Sequence, residues 1–219
     1  INMVKWNACR ADVSLDDFAG EPCWVGVDLA SKVDLTAMVL LFRRGDEFYL
    51  FGRHYLPAET VNLPENAHYQ RWTAEGHLVS TPGARTDYHY LMDDLLAYAE
   101  RFSIRELAYD PREAEMLMQE IRERVSFPCI EINQSPALIS EPMKEFEALY
   151  LSGKLRHDGD PLLAWQAANV VLRSTRTKAY YPGKERAENK IDGIVAAIMA
   201  LSRAMLHAEE PFVGMEVWD

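Results

Sequence analysis

The sequence predicts an α/β domain built on one mixed sheet, three antiparallel strands followed by parallel ones, with helices packed against it. Three observations carry this reading. Apolar runs at 23–30, 35–42 and 47–51 are separated only by short polar breaks, which makes them antiparallel neighbours. A strand, a charged amphipathic helix and another strand follow at 104–109, 112–125 and 128–132, a βαβ pattern that requires parallel pairing. Acidic side chains then stand at the edges of three core elements: Asp28 near the end of the first strand, Asp110 after the strand 104–109, and Asp192 opening the last apolar stretch.

Each remaining element has its own signal. Residues 1–21 are mixed and polar with isolated Trp6 and Phe18, an irregular lead-in that packs on the domain or continues from a preceding one. Prolines at 57 and 64 mark a loop, followed by a short helical piece at 67–75 and a strand at 77–80. Tyr90, Leu91, Leu95, Tyr98 and Phe102 recur at helical spacing behind Asp87, a side chain suited to capping the helix N-terminus. A helix at 141–153 stops at Gly153, and Pro161 opens another over 161–173. A polar, basic stretch, 177–189, leads into a final helix at 190–207. The order of strands and helices, with acids on the first strand, on a later parallel strand and on a late helix, is that of the ribonuclease H-like nuclease fold.

At 219 residues and 48% hydrophobic content the chain can bury one sizeable core, so 22–219 reads as a single domain behind the lead-in 1–21. No apolar run approaches the ~18 residues of a membrane span. Three cysteines without CxxC spacing indicate neither a disulfide framework nor a zinc site, and they fit a reducing cytoplasm. The chain opens at Ile1 with no signal-peptide pattern, which predicts a piece of a longer protein. A net charge of −11 argues against holding nucleic acid by bulk electrostatics and leaves room only for a local basic groove.

The acids call for explanation. Three carboxylates converging in a fold repel one another unless cations lie between them, and magnesium or manganese prefers such all-oxygen ligands. Taken singly, each would be an ordinary strand end or helix cap. Asp34 fits a turn residue that can return toward the site, Asp87 a helix cap, and His157 a solvated loop histidine. Trp165, Tyr98 and Phe146 are spaced as core residues.

Three stretches, 26–36 (GVDLASKVDLT), 108–111 (AYDP) and 190–200 (KIDGIVAAIMA), resemble the nuclease domain of the large terminase subunit of tailed bacteriophages. Linking segments extend the likeness over nearly the whole chain: Thr81-Pro82-Gly83 before Asp87-Tyr88, Pro142-Met143-Lys144-Glu145-Phe146-Glu147, and 159–165 with Asn169-Val170. The resemblance implies a metal-dependent endonuclease that cuts concatemeric viral DNA during packaging, in the cytoplasm of the bacterial host. It implies two Mg2+ or Mn2+ ions with Asp28 bridging them, Asp110 and Asp192 each completing one shell, and Asp34 as a further ligand. Lys184 and Lys190 would meet the phosphates of double-stranded DNA. The implied partners are a packaging ATPase domain of the same polypeptide, the small terminase subunit and the portal; no G-x-x-x-x-G-K-[ST] phosphate loop occurs in these residues. The alternatives are another ribonuclease H-like nuclease of resolvase or integrase type, or a non-catalytic docking module of a packaging motor. An actin-like or sugar-kinase ATPase is disfavoured, because Gly26-Val27-Asp28 lacks its second glycine.

Overall fold

The computed structural model describes residues 1–29, 34–112, 114–176, 178–186 and 188–207. Ala30 at the end of the predicted first strand, the turn 31–33, Glu113, Thr177, Ala187 and the tail 208–219 lie outside the described residues. Seven strands form the central sheet: β1 (Pro22–Asp28), β2 (Thr36–Arg44), β3 (Glu47–Pro57), β4 (Val79–Thr81), β5 (Ser103–Tyr109), β6 (Cys129–Glu131) and β7 (Leu155–His157). Their order is β4-β3-β2-β1-β5-β6, with β7 beside the first half of β3. As the break lengths and the strand-helix-strand succession predict, β1, β2 and β3 pair antiparallel while β1–β5 and β5–β6 pair parallel.

Side chains alternate across this sheet and so serve two cores. Val25 and Val27 of β1, with Met38, Leu40 and Phe42 of β2, face α4 (Tyr88–Arg101) and α5 (Glu115–Arg124). Trp24, Ala37, Val39 and Leu41 face the other way, toward α1 (Met3–Ala8), α6 (Pro136–Ser152), α7 (Pro161–Asn169) and α8 (Asp192–Ala204). A smaller core beyond β3 gathers Val61 of α2 (Ala58–Val61) and Tyr69 and Trp72 of α3 (Ala67–Ala74) with Leu35, Leu56 and Leu162.

The helix α8 is the centre of one layer. Residues 193–201 are all buried, which is why this stretch carries no charge on any side. It lies so close to β1 that a Cβ at Gly26 would sit 1.9 Å from the carbonyl oxygen of Ala196. Only glycine permits that approach. Near the far end of α8, Arg203 Nε donates to Glu106 Oε2 of β5 at 2.5 Å, and His207 Nε2 lies 3.2 Å from Glu106 Oε1.

Several sequence expectations need correction. The lead-in is not irregular throughout: α1 and a 3-10 turn at Leu15–Phe18 bring Trp6 and Phe18 to complete burial in opposite cores. These large rings cover the ends of both cores, a role invisible in a segment without periodicity. Strand β3 extends six residues past the predicted 51, because β2 pairs with it as far as Tyr55 and β4 with Tyr55–Pro57. Helix α6 starts at Pro136, five residues early, and ends as expected at Gly153 with φ 74°. The predicted helix 161–173 stops at Asn169, and the chain turns into a hairpin whose first strand, β8 (Val171–Ser174), replaces the end of that helix and whose second, β9 (Tyr180–Gly183), lies inside the predicted basic stretch. Strand β7 was not signalled, and its His157 is buried rather than solvated. The ring stacks on Trp6 at 4.6 Å, donates from Nε2 to the Trp6 carbonyl at 3.0 Å and accepts from Gly159 N–H at Nδ1. Phe146 is core as expected, and Tyr98 and Trp165 are half-buried against the cores.

The contact between β1 and α8 yields a direct test. Gly26→Ala should cost about 3 kcal/mol or more, since the added methyl meets helix backbone that cannot rotate away, lowering the melting temperature by about 10 °C. Thermal unfolding followed by circular dichroism measures it, and a shift under about 2 °C would contradict the tight approach.

Candidate metal centre

The sheet brings two of the acids together through register alone. The last residues paired between β1 and β5 are Val27 and Tyr109, so the next step along both parallel strands is Asp28 and Asp110. Neighbouring strands lie about 4.8 Å apart, and both residues fall on the face that carries Trp24 and Ala108, the α8 face. Asp110 is buried at 5% exposure. Its Oδ1 accepts from the Arg112 N–H at 2.9 Å across Pro111, a turn that ends the strand and fixes the carboxylate.

Asp192 arrives from the opposite layer. It precedes Ala196 by one helical turn on the same face of α8, as Asp28 follows Gly26 by two residues on the same face of β1. The contact of Gly26 with Ala196 therefore draws the two acids toward one another. Two carboxamides on α7 hold this helix start: Gln166 Oε1 accepts from Gly193 N–H at 2.6 Å, and Asn169 donates to the Lys190 carbonyl at 3.1 Å. Gly193 is itself constrained, because a Cβ there would lie 2.9 Å from both His54 Nε2 and Leu163 Cδ1. His54 is fully buried and stays neutral, its basicity pushed down to about 3 by burial, with Arg53 and His77 acting in the same direction.

The electrostatics record the crowding. Burial raises the Asp28 carboxyl well above the usual range, and the charges of Asp192, Asp110 and Asp34 add to the effect. Gln134, whose Nε2 donates to Asp28 Oδ1 at 2.9 Å, opposes it. Asp192 is pushed up to about 6, first by burial and then by Asp34, while Lys184 and Lys190 counteract. Its Oδ2 is buried without a hydrogen-bond partner among the described residues. Asp34 forms an ion pair with Lys190, so both stand at the rim of the site. Lys184, at the foot of the β8–β9 hairpin, is near enough to Asp192 to act on its charge.

No group of three or more His, Cys, Asp or Glu side chains forms a ready-made cage among the described residues. The acids instead gather at the ends of two central strands and the start of α8, apart from a cleft of about 510 Å3 beside α1 lined by Asn7, Arg10, Asp12 and Asp158. The donor set still fits a hard divalent cation: all oxygen, mutually repelling, and with one buried carboxylate oxygen unpartnered. Sequence reasoning missed Gln134, Gln166 and Asn169, because an isolated carboxamide carries no local pattern and acquires meaning only from what it touches.

A mixed sheet of this order, with acids at its centre and on the helix packed over it, is the ribonuclease H-like α/β architecture. Among solved structures, the large terminase of bacteriophage HK97 superposes with a TM-score of 0.81 at 26% identity, covering 93% of this chain and 43% of that one. The large terminase nuclease of thermophilic phage G20c, solved with bound magnesium, shares the fold at a TM-score of 0.51 and 11% identity, covering 83% of this chain and 80% of that one. By sequence, Protein YmfN of Escherichia coli K12 is 36% identical over 95% of this chain and 49% of its own length. The HK97 terminase large subunit is 28% identical over 83% of this chain and 37% of its own length. The family model described as terminase large subunit, endonuclease domain, matches residues 1–208, and the chain belongs to that family. The chain spans half or less of the length of these curated relatives.

The raised Asp192 predicts a specific pH dependence. A carboxyl whose folded-state pKa exceeds its unfolded value destabilises the fold above the folded value, and the penalty is relieved as pH falls from about 6 toward 4. Without divalent cations, Asp192→Asn should therefore be more stable than the parent at pH 8 by about 2 kcal/mol, after allowance for the lost charge at the helix N-terminus. The gap should close by pH 4. Urea unfolding at both pH values in EDTA tests this, and an unchanged gap would contradict it.

Proposed function

We propose that this chain is a metal-dependent DNA endonuclease that cuts concatemeric viral DNA during genome packaging by two-metal-ion phosphodiester hydrolysis. The observation that carries the reading is the convergence of Asp28, Asp110 and Asp192 from two neighbouring parallel strands and an overlying helix, with their charges in mutual repulsion. The G20c nuclease, solved once with bound magnesium and once with bound cobalt, supports a divalent ion in this fold. Mg2+ or Mn2+ suits the oxygen donors here.

Asp28 would bridge two ions, with Asp110 completing one shell and Asp192 the other. Bound there, the ions supply an activated water and stabilise the leaving oxygen. The residues themselves do the positioning. Asp110 is fixed by its turn, Asp192 by the carboxamides on α7, and Asp28 by the strand at the centre of the sheet. Asp34, paired with Lys190, is a further candidate ligand at the rim, released if Lys190 turns to a DNA phosphate. Lys184 and Lys190 are the phosphate contacts of this reading, placed on the hairpin side of the acids. With a net charge of −11 the chain has little bulk attraction for DNA. Holding the substrate then falls to other parts of the assembly: a packaging ATPase domain on the same polypeptide, a small terminase subunit and the portal. The working compartment would be the host cytoplasm, and no helix among the described residues is long and apolar enough to cross a membrane.

Two expectations follow. The purified chain should nick and linearise supercoiled plasmid with Mg2+ or Mn2+ but not with EDTA, and Asp28→Ala should lower cleavage at least 100-fold while keeping the circular dichroism spectrum. Undiminished cutting by the variant would remove Asp28 from the centre. The isolated chain should also bind duplex DNA weakly and with steep salt dependence, measured by fluorescence anisotropy between 50 and 200 mM salt. Tight, salt-resistant binding would contradict the division of labour.

A further inference from the structure

We infer that Gln134 is a positioning residue for the central acid, orienting the Asp28 carboxylate for metal binding. The inference rests on the reading of Asp28 as a metal ligand. Among the described residues, Gln134 supplies the donor to this carboxylate, Nε2 to Oδ1 at 2.9 Å across 106 residues of sequence. The carboxylates of Asp192, Asp110 and Asp34, by contrast, repel it.

The backbone around Gln134 is pinned on both sides. Two residues before it, Ile132 N–H donates to the Tyr109 carbonyl at 2.8 Å, carrying the β5–β6 ladder beyond the strand end. One residue after it, Ser135 caps α6, its carbonyl accepting from Leu138 N–H at 3.0 Å and Ile139 N–H at 3.1 Å, with Pro136 in the first helical position. The segment has no freedom to slide, so the half-buried carboxamide is delivered to Asp28 by the sheet and the helix together.

The chemistry of the side chain suits the task. A carboxylate oxygen has two acceptor directions, so one can take an amide N–H while the other faces a cation. A neutral carboxamide fixes the rotamer without neutralising the charge that attracts the metal. A lysine in the same place would satisfy the carboxylate as an ion pair and compete with the cation. Hydrogen-bond partners of ligating carboxylates are worth about 10–100-fold in metal affinity or activity. Gln134 makes the connection from β6, the outermost strand on this side of the sheet, to α6 a contributor to a site whose acids lie at the ends of β1 and β5 and at the start of α8.

The test uses the 219-residue chain and Mn2+ alone as probe, with free Mn2+ read by electron paramagnetic resonance. Gln134→Leu, with Gln134→Met as a second variant, should raise the Mn2+ Kd about ten-fold while the melting temperature in EDTA stays within about 2 °C of the parent. In plasmid cleavage the Mg2+ concentration for half-maximal rate should rise by a similar factor, with the KM for DNA unchanged. Asn133→Ala, at the exposed neighbour, should leave Mn2+ binding as it is. Unchanged Mn2+ affinity in both Gln134 variants would overturn the inference, as would an equal loss in Asn133→Ala, which would mark a general effect of the loop. If the parent itself binds no Mn2+, the reading of Asp28 as a ligand fails and this inference fails with it.

Discussion

The approach of α8 to β1 at Gly26 is the constraint from which the site follows. Two periodicities meet there. Along the strand, Gly26 and Asp28 share a face with Trp24; along the helix, Ala196 and Asp192 share a face one turn apart. Bringing the glycine against the Ala196 carbonyl fixes the distance between layers and leaves the two carboxylates at the same end of the contact. Any side chain at 26 would force the helix outward and separate the acids. Packing and function are thus decided by the same missing methyl.

The surrounding structure manages the charge that this contact concentrates. Asp192 sits in the first turn of α8, where unpaired backbone N–H groups favour an anion, and Lys184 and Lys190 act on it from the hairpin side. Asp34 has Lys190, Asp110 has the Arg112 N–H, and Asp28 has Gln134. These partners temper the repulsion without removing it, since Asp28 and Asp192 still hold protons more tightly than an ordinary aspartate. Residual repulsion of that kind is a cost to folding and an attraction for cations.

The distribution of charge sets a local basic pair against an acidic whole. Lys184 and Lys190 lie at the rim of the acids, whereas the chain as a whole is strongly acidic. The β8–β9 hairpin packs through Tyr180, whose N–H donates to Ser140 Oγ at 3.0 Å and whose ring lies under Lys144. The two curated relatives, of which this chain spans 49% and 37%, are about twice its length or more.

Local pattern in the sequence determined much of this protein. Strand alternation and short breaks specified β1, β2 and β3, and the strand-helix-strand order specified the parallel half of the sheet. The apolar run after Asp192 specified a buried helix. Asp28, Asp110 and Asp192 stood out because carboxylates at the edges of apolar runs break the pattern. What the sequence did not carry depends on contacts between distant segments. Trp6, Phe18 and His157 are buried only because other elements close over them, and the β8–β9 hairpin forms against α6 where the local pattern reads as a helix end and a basic loop. Gln134, Gln166 and Asn169 are ordinary polar residues until the fold sets them against Asp28, Gly193 and Lys190. A periodic signal needs only neighbours along the chain, whereas a hydrogen bond across 106 residues exists only once the sheet, its register and the helix over it are in place.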